Sequence, residues 1–105
     1  GGVVQGIGAA LYEECLYSSD GQLLNGNMAE YLVPMSGEMP DIVCAHIETP
    51  TLQSQLGAKG VGEAGTAGAP GAVMNAINDA LAPLNARVTA MPFTPERILK
   101  ALAKI

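Results

Sequence analysis

Gly57-Ala58-Lys59-Gly60-Val61-Gly62-Glu63-Ala64-Gly65-Thr66-Ala67-Gly68 runs directly into an apolar stripe at helical spacing. One carboxylate therefore sits in a run of small residues at the mouth of a helix. Glycine lets a backbone approach a bulky neighbour closely and take up positive φ without a Cβ penalty. On residue chemistry alone, Glu63 reads as an exposed loop acid or as an acid favoured by a helix N-terminus. It also reads as a group held against a reacting atom.

Outward from that loop, Val73, Ala76, Ile77, Ala80, Leu81 and Leu84 predict a helix over about 69–82, with Asn75, Asn78 and Asp79 on its wet face. Pro70 and Gly71 suit only its first turn, and Pro83 ends or kinks it. Arg87 to Ala90 reads as a short extended segment. Thr94-Pro95-Glu96 is a helix start, with a hydroxyl cap, Pro at the first position and an acid in the first turn. That helix buries Ile98, Leu99 and Leu102. Upstream, Val3, Val4, Ile7, Leu11 and Cys15 predict a helix over 3–17. Ser18-Ser19-Asp20-Gly21 is a turn, 22–34 is extended with a local turn at Asn25-Gly26, and 35–40 is a loop. Asp41 to Thr49 alternates as a strand. About three helices with short strands, and no regular βαβ alternation, give an α+β fold. The whole of 1–105 reads as a single domain or a fragment of one.

The composition sets limits. Of 105 residues, 49% are hydrophobic, but sixteen are Ala, one is Phe and none is Trp. The expected core is thin, resting on Leu, Val, Ile and Met and helped by a neighbour. The chain starts at Gly1 without Met and opens in a helix-like pattern, which reads as part of a longer polypeptide with any targeting signal upstream. No apolar run approaches the ~20 residues of a membrane span. Net charge is −5, and the bases Lys59, Arg87, Arg97, Lys100 and Lys104 are scattered. That is a poor footprint for nucleic acid. Cys15 and Cys44 have no metal-ligand spacing and behave as small apolar residues, which fits a reducing, cytoplasmic compartment. His46 lies on the Cys44 side of the expected strand without further ligands, so no metal-binding residue is assigned.

Gly60-Val61-Gly62-Glu63-Ala64-Gly65 matches the G-x-G-x-x-G of dinucleotide sites. That fingerprint requires a hydrophobic strand just before it, and Thr49 to Leu56 is not one. Glu63 would also place a negative charge near the pyrophosphate. A dinucleotide-binding module through Gly60–Gly65 remains the second reading. A non-catalytic structural or interaction domain is the third.

The Gly57–Thr66 loop resembles the glutamate loop of the molybdenum hydroxylases, the xanthine, aldehyde and carbon monoxide dehydrogenase superfamily. The resemblance continues in order along the chain. Gly1 to Glu14 is similar to the helix following that family's molybdopterin-contacting segment. Asp20 to Leu24 and Glu30 to Pro34 resemble the extended segments after it. Ala72 to Leu81 resembles the next helix, and Thr94 to Ile98 the terminal segment. Gly-Glu-Ala-Gly-Thr is similar to the bacterial carbon monoxide and aldehyde dehydrogenase branch.

The resemblance implies the C-terminal, molybdopterin-binding part of a large subunit. It implies Glu63 as the active-site base, with Gly60, Val61 and Gly62 as loop contacts to the cofactor. It further implies hydroxylation of an aldehyde, N-heterocycle or CO-type small-molecule substrate with water-derived oxygen. Electrons would leave through iron–sulfur clusters and FAD on partner domains or subunits, in an assembly that admits a homo-oligomer. The substrate-discriminating loops and the cofactor-contacting glutamine of the family would lie upstream, so the chain alone would be inactive.

Overall fold

The computed structural model describes residues 1–104. Three α-helices carry it: α1 (Gly2–Leu11), α2 (Ala64–Leu81) and α3 (Pro95–Ala101), with short 3₁₀ turns at Ser36–Glu38 and Ala82–Leu84.

α1 and α2 pack on each other through residues without bulk. A Cβ on Gly6 would stand 2.7 Å from Ala69 Cβ, and one on Gly65 would stand 2.8 Å from the backbone nitrogen of Val3. Spacings of four, Gly2 to Gly6 and Gly65 to Ala69, thus remove side chains along both facing ridges and let the backbones touch. Gly68 also lies in α2, but a Cβ there meets nothing within 4 Å. Gly65→Ala is therefore expected to destabilise the chain by about 1–3 kcal/mol through overpacking against rigid backbone. Gly68→Ala is expected to stabilise it by about 0.5–1 kcal/mol through helix propensity. Denaturant unfolding of the two variants checks this, and shifts of the same sign would contradict the packing.

The core is small, as composition requires. Ala10, Leu81, Val88 and Phe93 are buried, and Leu11, Val73, Met74, Ile77, Ala86, Ile98, Ala101 and Leu102 pack around them. The single Phe, only 2% exposed, is the largest fully buried side chain. Its N–H donates to the carbonyl of Ala10 at 2.6 Å, tying the approach to α3 onto α1. α3 starts as expected: Thr94 Oγ1 accepts from Arg97 N at 3.4 Å, with Pro95 at the first position. Ile98 and Leu102 face the core, but Leu99 is 40% exposed and is not part of it.

Several boundaries differ from the periodic reading. α1 stops at Leu11, not at residue 17. The N–H groups of Tyr12 and Glu13 both close on Gly8 O, ending the helix. The following segment is then held extended by Asn25, whose buried amide accepts from Leu16 N at 2.9 Å and donates to Glu14 O at 2.7 Å. Asn25 thus bridges backbone rather than heading a local turn, while the expected turn at Ser18–Gly21 is present, with Gly21 at φ +85.

α2 begins at Ala64, five residues before the expected start, so Pro70 lies inside the helix. Pro70 has no N–H to offer the carbonyl of Thr66, and the glycine face of α1 fills that gap: a Cβ on Gly6 would be 3.1 Å from Thr66 O. Pro83 does end the helix. Asn85 follows in the left-handed conformation and Ala86 N closes on Leu81 O. Asn78, expected on the wet face, is half-buried. Its amide accepts from Val88 N and donates to Val88 O, both at 2.8 Å, which ties the irregular segment around Arg87–Ala90 to α2.

The strand component of the expected α+β fold is not formed. Among the described residues the one β contact is an isolated antiparallel bridge, Tyr17 to Leu23. Residues 41–50 have no regular secondary structure, pair in no ladder and are exposed throughout. Val43 and Ile47 are 97% and 98% exposed. Alternation makes a strand only when another strand accepts its N–H and C=O groups, and these described residues offer none. The radius of gyration, 17.6 Å, exceeds the ~13 Å of a compact domain of this length.

Candidate active site

Residues 50–57 close into a compact loop. Thr51 N donates to Gly57 O at 3.1 Å and Gly57 N to Ser54 O at 3.2 Å. Gly57 has φ +67, and a Cβ there would strike Pro50, so the turn demands glycine. From this anchored point the chain runs through Ala58–Gly62 to Glu63, which caps α2 by position.

Glu63 has φ −94 and ψ 2, and its side chain makes no capping hydrogen bond. A Ser, Thr, Asp or Asn at this position would satisfy an orphan N–H of the helix, worth roughly 1 kcal/mol. Glu63 forgoes that, and the residue is exposed. The ion pairs of the described residues lie elsewhere, between Arg97 and Glu14 and between Lys100 and Glu96. The carboxylate is thus uncommitted, while the backbone beneath it is fixed: Ala64 N donates to Val61 O at 3.1 Å, and Ala67 N to Glu63 O at 3.0 Å.

The four residues singled out in sequence separate into two positions. Gly60 and Val61 line an open cleft of about 450 Å³ with His46, Ile47, Glu48, Thr49, Pro50, Leu56, Gly57 and Lys59. Gly62 and Glu63 lie outside that lining, at the junction of the N-termini of α1 and α2, where a Cβ on Gly2 would be 3.0 Å from Gly62 O. Among the described residues, no group of three His, Cys, Asp or Glu gathers to hold a metal. Nor does a strand precede Gly60, and Gly65, third glycine of the dinucleotide-like pattern, is spent on packing against Val3. The dinucleotide context is therefore missing.

Gly60 and Gly62 have no internal reason to be glycine. Neither has positive φ, and a Cβ on either meets nothing within 4 Å among the described residues. The same openness is found at Gly68 and Gly71 in α2; at Gly60 and Gly62 it falls in a loop directly before Glu63, where a bare backbone leaves room for close approach from outside.

Elsewhere, Tyr31 donates to Glu13 Oε1 at 2.9 Å, which holds the phenol above its ordinary pKa because the neutral form is the donor. Glu96, bonded to Lys100 one turn along α3, is held below the usual carboxylate range. Both are structural pairs remote in sequence from Glu63.

A sequence profile described as the molybdopterin cofactor-binding domain matches residues 1–40. Over 101 residues the chain is 43% identical to the nicotine 6-hydroxylase large subunit of Paenarthrobacter nicotinovorans, covering 96% of this chain and 12% of that protein. The structure superposes on quinoline 2-oxidoreductase from Pseudomonas putida 86 with TM-score 0.90 and 42% identity, covering 98% of this chain and 13% of that one. The chain belongs to the molybdenum hydroxylase large-subunit family. Within that family it is also similar to the carbon monoxide dehydrogenase large chain of Afipia carboxidovorans, at 33% identity over 95% of this chain and 12% of that protein. A Cu,Mo-CO dehydrogenase structure matches with TM-score 0.85 and 31% identity, covering 98% of this chain and 13% of that one. The chain thus spans about an eighth of the large subunits it matches. Among the described residues no helix is long and apolar enough to cross a membrane.

Proposed function

We propose that these residues form the base-bearing part of a molybdopterin-binding domain, that Glu63 is the active-site base, and that the substrate is an aromatic N-heterocycle. The observation carrying this reading is the state of Glu63: an exposed, uncapped carboxylate on a backbone pinned at both ends, beside glycines that nothing among the described residues requires. A molybdenum cofactor held here would supply the redox metal and the water-derived oxygen. Glu63 would be the carboxylate that accepts the proton released as the substrate is oxidised, the electrons passing to the cofactor. The anchored turn at Gly57 and the first turn of α2 hold the carboxylate in place, so the proton acceptor need not be ordered at the moment of reaction. Gly60, Val61 and Gly62 let the loop lie close to the cofactor.

The heterocycle reading draws on identity: 43% and 42% with a nicotine hydroxylase and a quinoline oxidoreductase, against 33% and 31% with carbon monoxide dehydrogenases. The partners are the rest of a large subunit, together with iron–sulfur and flavin domains or subunits that carry electrons away. The first partner accounts for the solvated apolar edge. In the assembled subunit residues 41–49 are expected to add to a neighbouring strand, which would cover Val43 and Ile47, both exposed here. By itself the 105-residue chain is inactive. Free, exposed Cys15 and Cys44 suit a reducing, cytoplasmic location.

The test is substrate-dependent dye reduction by the full subunit complex against a panel of pyridines and quinolines, aldehydes, purines and carbon monoxide. Turnover is expected with the pyridine or quinoline class. Turnover confined to aldehydes or carbon monoxide would overturn the substrate assignment, and turnover with none would overturn the enzymatic one.

A further inference from the structure

Thr66 stands one turn into α2, three residues after Glu63, and both of its polar oxygens face α1. The hydroxyl donates to the carbonyl of Gly2 at 3.0 Å. Gln5 Oε1 stands 3.4 Å from the same hydroxyl. A hydroxyl has one proton, and the Gly2 carbonyl can only accept, so that proton belongs to Gly2. The Gln5 amide then serves the hydroxyl best when flipped, with Nε2 donating to Thr66 Oγ1. The result is a chain of hydrogen bonds from Gln5 through Thr66 to Gly2. The Thr66 carbonyl, left without its helical donor by Pro70, lies against the bare Cα of Gly6. Thr66 is thus a polar link between two helix N-termini whose other contacts are made by glycine, Ala69, Val3 and Pro70.

We infer that Thr66 is a positioning residue: its hydroxyl, clamped between Gly2 and Gln5, fixes the first turn of α2 against α1 and so fixes where Glu63 points. This rests on Glu63 being the base. The reasoning is geometric. Glu63 has no capping bond of its own to set its orientation, so the register of the turn beneath it does so. Glycine packing at Gly2, Gly6 and Gly65 sets how closely the helices approach but does little to prevent sliding or rotation. A directional hydrogen bond does. A misplacement on the scale of 1 Å costs on the order of 10²-fold in rate.

The experiment uses the holo subunit complex with Thr66→Val, Thr66→Ser and Glu63→Gln at equal molybdenum content, together with backbone hydrogen exchange on the cofactor-free protein. Thr66→Val keeps the shape and removes the donor. It is expected to lower kcat by about 10- to 100-fold with KM little changed, and to speed exchange at the amides of 62–66 several-fold. Thr66→Ser is expected to restore both. Wild-type turnover and exchange in Thr66→Val, while Glu63→Gln is inactive, would overturn the positioning role and leave the base in place. Equal losses in Thr66→Ser and Thr66→Val would also overturn it, because the methyl packing would then be what matters. Undiminished turnover in Glu63→Gln would instead remove the base assignment on which the role depends.

Discussion

Glu63→Gln in the holo subunit complex is expected to lower kcat by about 10²–10⁴-fold, the contribution of a positioned general base. The substitution keeps length and shape and removes only proton affinity. It touches no capping bond and lies at an exposed position, so folding and molybdenum content are expected to stay at the unaltered level. Surface substitutions of this kind usually shift stability by no more than about 0.5 kcal/mol. Steady-state turnover at matched metal content reads the first effect, and thermal unfolding reads the second. A large loss of stability would mean that the carboxylate serves the fold, and the kinetic result would then say nothing about a base.

Phe93→Ala is expected to remove about 3–5 kcal/mol of stability, the range for truncating a buried aromatic. The reason lies in how little else is buried. Phe93 is the largest fully buried side chain and shares its cluster with Ala10, Leu81 and Val88. These come from α1, the end of α2 and the segment held by Asn78, so a cavity there loosens every contact that unites the helices. Folded domains have only about 5–15 kcal/mol in total, and this core is thin. Denaturant unfolding checks the value; a loss below about 1 kcal/mol would mean that the helices are held together mainly by the glycine contact between α1 and α2.

How much of this was legible depended on the kind of signal. The stop at Pro83 and the start at Thr94 are local backbone chemistry, and both stand where sequence puts them. Helix existence followed from periodicity; helix length did not. α1 ends early and α2 begins early because the deciding interactions connect residues far apart: Asn25 with the backbone at Glu14 and Leu16, and Pro70 with the glycine face of α1. A period of 3.6 carries no information about such partners. Asn78 reads as a water-facing amide for the same reason, since an amide that binds a distant backbone has the same composition as one that meets water. The strand at 41–49 was legible as a pattern, but pairing is a property of two segments.

The Gly57–Gly68 loop was legible in its glycines, though not in their division of labour. Gly57 is required by its turn and Gly65 by the neighbouring helix, whereas nothing among the described residues requires Gly60 or Gly62. The role of Thr66 had no sequence signal apart from its place one turn beyond Glu63.

The central claim concerns a proton taken during substrate oxidation, so the most direct measurement isolates that step. The holo subunit complex is mixed anaerobically with a pyridine or quinoline substrate, and reduction of the enzyme is followed in a single turnover, comparing the unaltered protein with Glu63→Gln at equal molybdenum content. The account predicts rapid reduction in the first and a rate lower by about two to four orders of magnitude in the second. Equal rates of reduction would contradict it and remove Glu63 from the chemistry.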